Sequence, residues 1–178
     1  MNTYITLLRG INVSGQKSIK MADLRESLEH IGFQNVQTYI QSGNVIFDTD
    51  IEGKEKIQDV VHAVILKDFG FNVPTLAVTR EAVESILEAN PFTGEEENKL
   101  YFVLLKSPPE KSLVDQFNEM QFENEDFHIT NDCVYLLCKK GYGNSKLSNN
   151  LIERKLKVEA TTRNLKTMEK LLEMTTRD

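Results

Sequence analysis

Residues 36–48 read VQTYIQSGNVIFD, in which two runs of β-formers, VQTYI and NVIFD, are joined across Gln41-Ser42-Gly43. Small polar residues between β-branched and aromatic side chains predict a hairpin, so strand pairing here is expected to be antiparallel. Working outward, Thr3 to Leu8 alternates weakly and ends at Arg9-Gly10, a buried strand running into a loop rich in Gly, Asn and Ser. Met21, Leu24, Leu28 and Ile31 then recur at helical spacing, with Gly32 placed to end the helix. Beyond the hairpin, Ile57, Val60, Val61, Val64, Ile65 and Phe69 form a second helical stripe ended by Gly70, and VPTLAVT supplies a strand. The first half therefore reads β-α-β-β-α-β.

The second half repeats that order without repeating the residues. After a short helix carrying Val83, Ile86 and Leu87, which stops near Asn90-Pro91, the polar and acidic stretch Phe92 to Asn98 is the expected boundary. KLYFVLLK is a strand, Pro108-Pro109 opens a helix through Leu113, Val114, Phe117 and Met120, and DFHIT with CVYLLC form a second hairpin across Asn131-Asp132. Leu147, Leu151, Ile152 and Leu156 mark a helix. An extended stretch at Val158 to Thr161 precedes a final helix with Leu165, Met168, Leu171 and Leu172. The expectation is an α+β protein of two tandem ferredoxin-like (βαββαβ) subdomains, 1–90 and 98–178, with mostly antiparallel sheets. At 178 residues the chain has room for both.

Composition narrows the class. With 40% apolar and 27% charged residues, the chain is neither disordered nor membrane-spanning, and its longest apolar runs fall far short of the ~20 residues a membrane helix needs. Cys133 and Cys138 lie five apart on one strand, on opposite faces, which argues against a bridge. MNTYITLLRG has neither a charged start nor a long apolar run, so the chain is expected to be cytoplasmic and reduced. The net charge of −6 hides an alternation: Met1 to Arg25 carries four basic residues against one acid, Glu81 to Asp126 twelve acids against three lysines, and Lys139 to Lys170 nine basic residues against three acids. Two basic ends thus flank an acidic middle, and local fields of this kind attract anions whatever the total.

The loop GINVSGQKS, Gly10 to Ser18, misses the phosphate-cradling pattern G-x-x-x-x-G-K-[ST] by one inserted residue, Gln16. Its glycines still allow backbone amides to approach an anion, with Arg9, Asn12 and Lys17 assisting. Ser42 sits between strands rather than at a strand-to-helix turn, so it reads as a turn residue and not a nucleophile, with Gln41 and Asn44 as hydrogen-bonding groups beside it. His30, His62 and His128 read as surface residues, and the spacing of His and Cys fits no zinc site. In the basic C-terminal block, Asn144 or Ser145 is expected to cap one helix and Thr162 or Asn164 the next, placing Lys146 and Arg163 at helix N-termini suited to an anion. Lys155 is expected to lay its stem along apolar surface.

Three segments, LLRGINVSGQKSIKM, TYIQSGNVIF and ATTRNLKTMEKLL, resemble the hallmarks of a widespread bacterial family catalogued as domain of unknown function 1697. The resemblance implies a two-part α+β protein with no established activity. The chain departs from the family pattern at Ser14 and Gln16 in the first segment, and at Leu165 where a Trp is usual. Motifs rich in Arg, Asn, Gln, Ser and Thr suggest a polar site built from both halves: Arg9, Asn12, Gln41, Ser42, Asn44, Thr162, Arg163 and Asn164. The leading expectation is binding of a phosphate-bearing ligand, a nucleotide or single-stranded nucleic acid, without a cofactor or metal. The alternatives are an enzyme acting on a small anionic substrate, with Glu153 or Tyr39 transferring the proton, and a protein-interaction module using Glu95 to Glu97.

Overall fold

The computed structural model describes residues 1–176. It holds two four-stranded antiparallel sheets and six α-helices in the order β1 (Asn2–Leu8), α1 (Met21–His30), β2 (Gln34–Tyr39), β3 (Asn44–Thr49), α2 (Lys54–Phe69), β4 (Thr75–Val78), α3 (Arg80–Glu88), β5 (Leu100–Leu105), α4 (Lys111–Asn118), β6 (Glu125–Ile129), β7 (Cys133–Cys138), α5 (Asn149–Leu156), β8 (Ala160–Asn164) and α6 (Leu165–Met174). The chain forms two compact units, Met1–Glu84 with the residues from Leu171 onward, and Ser85–Lys170, so the divisions fall inside α3 and α6.

In the first unit the strand order is β2-β3-β1-β4. β1 pairs antiparallel with β3 from Asn2↔Thr49 to Leu7↔Asn44, and with β4 from Ile5↔Val78 to Leu8↔Thr75. Period two sends Tyr4 and Leu8 to the face that packs with Val45, Phe47 and Ala77 against Leu24, Leu28, Ile57, Val61 and Ile65 of α1 and α2. Phe33 stacks on Phe47 with ring centroids 4.2 Å apart. Each such fully buried side chain contributes about 1.5–3 kcal/mol, which is how the two helical stripes hold their sheet. Two polar residues lie within this packing. Gln58 of α2 is buried, and its Oε1 accepts the Ala77 N–H at 3.1 Å, satisfying a donor on the edge strand β4. The Thr6 hydroxyl is buried with no hydrogen-bond partner among the described residues. Gly70 ends α2 in the left-handed region, its N–H donating to the Leu66 carbonyl.

The second unit has the order β6-β7-β5-β8, again wholly antiparallel. Val103, Leu105, Val134, Leu136 and Cys138 pack with Phe117 of α4 and Ile152 and Leu156 of α5. On the opposite face of β7, the Tyr135 hydroxyl donates to the Ile86 carbonyl at 2.8 Å. Burial pushes the thiols of Cys133 and Cys138 up from their ordinary range, and both cysteines are free.

One sequence expectation about the first helix is corrected. Ile31 is 44% exposed, because α1 ends one residue before it. Ile5, Leu7 and Ile46 of the first sheet, and Phe102 and Leu104 of the second, are buried as fully as the helix-facing core. Lys155 is exposed. No helix among the described residues is long and apolar enough to cross a membrane.

Candidate functional site

The two N-terminal motifs meet at one end of the first sheet. Where β1 ends, the Leu8 N–H donates to the Gly43 carbonyl at 2.8 Å and the Arg9 N–H to the Pro74 carbonyl at 3.1 Å, so the chain leaving β1 lies against the hairpin turn. The loop that follows folds back on itself: Asn12 N–H donates to the Lys17 carbonyl and Gln16 N–H to the Val13 carbonyl. Asn12 is the clamp. Its Nδ2 donates to the carbonyls of Ile19 and Gln41, at 3.0 and 2.8 Å, while its Oδ1 accepts the Ile19 N–H at 2.8 Å. One carboxamide therefore closes the loop and ties it to the turn after β2. A short amide is suited to this because both of its N–H donors and its carbonyl oxygen are used at once.

The backbone is held in unusual conformations on both sides of that clamp. Asn12, Ser14 and Lys17 have positive φ with Gly10 and Gly15, and across the clamp so do Ile40 and Gly43. For Ile40, a β-branched residue at φ 50° and half exposed, this is a strained state costing about 1–2 kcal/mol. Such strain persists only where the surroundings over-determine it, and it gathers at functional sites.

The six sequence-predicted residues of this region are thus brought together, but they divide by role. Asn12 and Asn44 hold the loops: Asn44 is fully buried, its Nδ2 donating to the Tyr39 carbonyl at 2.9 Å and the Ser42 hydroxyl at 3.1 Å. Lys17 reaches the other way, its Nζ donating to the Asn72 carbonyl at 2.7 Å. Arg9 is half-buried, and Gln41 and Ser42 are exposed at the turn.

The C-terminal residues are placed differently from the sequence expectation. Thr162 and Arg163 lie inside β8, opposite Val103 and Phe102, and not at a helix N-terminus. Asn164 alone caps α6, its Oδ1 accepting the Thr167 N–H. For α5 the cap is Ser148, whose Oγ accepts the Leu151 N–H, and neither Asn144 nor Ser145 fills that position. Lys146 precedes the helix by three residues and is exposed.

Around β8 the polar side chains bond to one another. The Thr162 hydroxyl donates to Asn149 Oδ1 at 2.7 Å, Asn149 Nδ2 donates to the Ala160 carbonyl at 3.0 Å, and the Asn149 N–H donates to the Tyr142 hydroxyl at 3.1 Å. Glu153 accepts the Ala160 N–H at 3.0 Å, so the carboxylate considered for proton transfer fastens β8 to α5. Arg163 is nearly buried, its Nη1 donating to the Thr162 carbonyl, and burial draws its guanidinium down to about 10, still protonated at neutral pH. The sequence reading missed Gln58, Ser148, Asn149 and Glu125. Glu125 left a signal: it alternates with Phe127 and Ile129 and so shares their inward face.

A family model described as "Protein of unknown function (DUF1697)" matches residues 1–135 of the 178. The chain belongs to this family. The DUF1697 match contains the whole N-terminal loop cluster and ends before Lys146 and the TTRN segment. In fold the chain is similar to the solved structure of the conserved bacterial protein SP0830 from Streptococcus pneumoniae, with a TM-score of 0.77, 23% sequence identity and 98% of each chain covered. No curated protein matches it. Among the described residues no group of three or more His, Cys, Asp or Glu side chains is placed to hold a metal ion.

Proposed function

We propose that this DUF1697 protein binds a small phosphate-bearing ligand of nucleotide size where the loop after β1 meets the turn after β2. Each unit is read as a ferredoxin-like βαββαβ fold, a reading supported by the strand orders and the all-antiparallel pairing. The observation that carries the functional reading is the Asn12 clamp, which joins two loops held at positive φ, one following Arg9 and the other containing Gln41 and Ser42. Pre-ordered loops lose little conformational entropy on binding, and an arginine is the side chain best matched to a phosphate. A nucleotide is favoured over a nucleic-acid strand because Tyr4, Phe47, Phe102 and Tyr135 are all buried in the sheets, and no Phe or Tyr is among the exposed large hydrophobic residues described.

The test is a thermal-shift titration of the full chain with inorganic phosphate, nucleoside monophosphates and a short single-stranded oligonucleotide, repeated on Arg9→Met and Arg163→Met. A ligand at 100 times its Kd stabilises by about 2.7 kcal/mol. The reading expects stabilisation by a mononucleotide that is lost in Arg9→Met. Stabilisation unchanged in Arg9→Met, or none with any phosphate, contradicts it. Loss only in Arg163→Met moves the site to β8.

A further inference from the structure

The second unit holds a cavity of about 120 Å³ beside the start of β6, lined by Glu123, Asn124, Glu125, Lys140, Asn144 and Lys146 among others. That is room for a small molecule rather than a single water. Its unusual wall is Glu125. The side chain is 93% buried, one carboxylate oxygen accepts the Lys146 N–H, and the other is buried with no hydrogen-bond partner among the described residues. A buried carboxylate oxygen left without a donor is among the more costly arrangements a folded chain carries, and native structures rarely keep one without a use.

The charges around it are mixed. Glu123, Lys140 and Lys146 are exposed at the cavity while Glu125 lies in its wall. A bare cation would meet the two lysines and a bare anion the two carboxylates, so neither charge alone suits the whole lining. A molecule carrying both suits it: an ammonium is matched to the Glu125 carboxylate in the wall, and an anionic group lies toward the lysines. We propose that this cavity binds a small zwitterion, an α- or β-amino acid or an amino-alkyl phosphate, with Glu125 receiving its ammonium and Lys140 and Lys146 its anionic end. This site lies within the second unit and does not depend on the phosphate reading of the first.

The experiment is an amide chemical-shift titration of the full-length protein with glycine, β-alanine and O-phosphoethanolamine. Methylammonium, acetate and inorganic phosphate serve as single-charge controls. The proposal expects shifts confined to residues 123–125 and 140–146 with at least one zwitterion, at an affinity at least tenfold tighter than any single-charge control. Glu125→Gln keeps an acceptor for the Lys146 N–H and replaces the orphan oxygen by an amide donor, so it is expected to weaken zwitterion binding at least tenfold. If that variant fails to fold, Lys146→Ala, on an exposed side chain, is expected to weaken binding of the same molecule several-fold. No localised shifts with any zwitterion, equal affinity for acetate or methylammonium, or unchanged binding in the variants overturns the proposal.

Discussion

Gly43→Ala should be among the most damaging single-methyl additions in the first unit. A Cβ built on Gly43 would stand 2.7 Å from Leu8 Cβ and 2.8 Å from Ile11 Cδ1, and its φ is 92°. Leu8 Cβ is fixed to the β1 backbone, which is paired on both sides, so it cannot swing away as a side-chain tip would. The left-handed backbone costs an alanine about 1–2 kcal/mol, and overpacking a buried contact adds roughly 1–3 kcal/mol. The expected loss is therefore about 3 kcal/mol, a large part of the ~5–15 kcal/mol that holds a typical domain. Gly10→Ala supplies the control, since Gly10 has φ 74° but nothing within 4 Å of its Cβ, and it should lose only about 1 kcal/mol. Urea unfolding followed by circular dichroism reads both: with a slope near ~2 kcal/mol/M, Gly43→Ala should lower the midpoint by about 1.5 M and Gly10→Ala by about 0.5 M. Equal midpoints for the two variants would refute the close approach of turn and strand on which the loop cluster rests.

Thr6→Val replaces a buried, unpartnered hydroxyl by a methyl of similar size and should raise stability by about 1 kcal/mol, whereas a loss would mean the hydroxyl is satisfied in solution. Gln58→Leu strands the Ala77 N–H at the edge of β4 and should cost about 1–3 kcal/mol by urea midpoint, against a small change if water reaches that donor. The buried thiols of Cys133 and Cys138 hold their protons more tightly than the unfolded chain does. Their contribution is therefore complete below the unfolded thiol value of about 8.5 and declines as pH rises above it. Stability should be flat from about pH 7 to 8 and fall from about pH 9, less steeply in a Cys133→Ala, Cys138→Ala double variant; identical slopes would refute it.

Much of the fold was legible because periodicity and punctuation agreed. The α2 stripe ends at Gly70 as read, and the QSGN and Asn131-Asp132 hairpins join the strands they were expected to join. Ambiguity arose where one residue type serves two purposes. ATTRN is short and polar, and Thr and Asn signal a helix cap as readily as a strand, so the pairing of β8 with β5 was not visible locally. Ser145 and Ser148 lie two and three residues ahead of a leucine, and Leu147 looked like the first helical turn although it enters the core ahead of α5. Of the candidate site, the motif loops were legible as polar and glycine-rich. That Asn12 is spent on the Gln41 carbonyl and Lys17 on the Asn72 carbonyl depends on contacts 29 and 55 residues away, which no local pattern carries.

If the clamped loops of the first unit receive a phosphate, amide chemical-shift mapping with a nucleoside monophosphate will show saturable shifts at residues 9–19 and 40–44, reduced at least tenfold in affinity by Arg9→Met. Shifts elsewhere with these two segments silent, or no saturable shift at all, would contradict it.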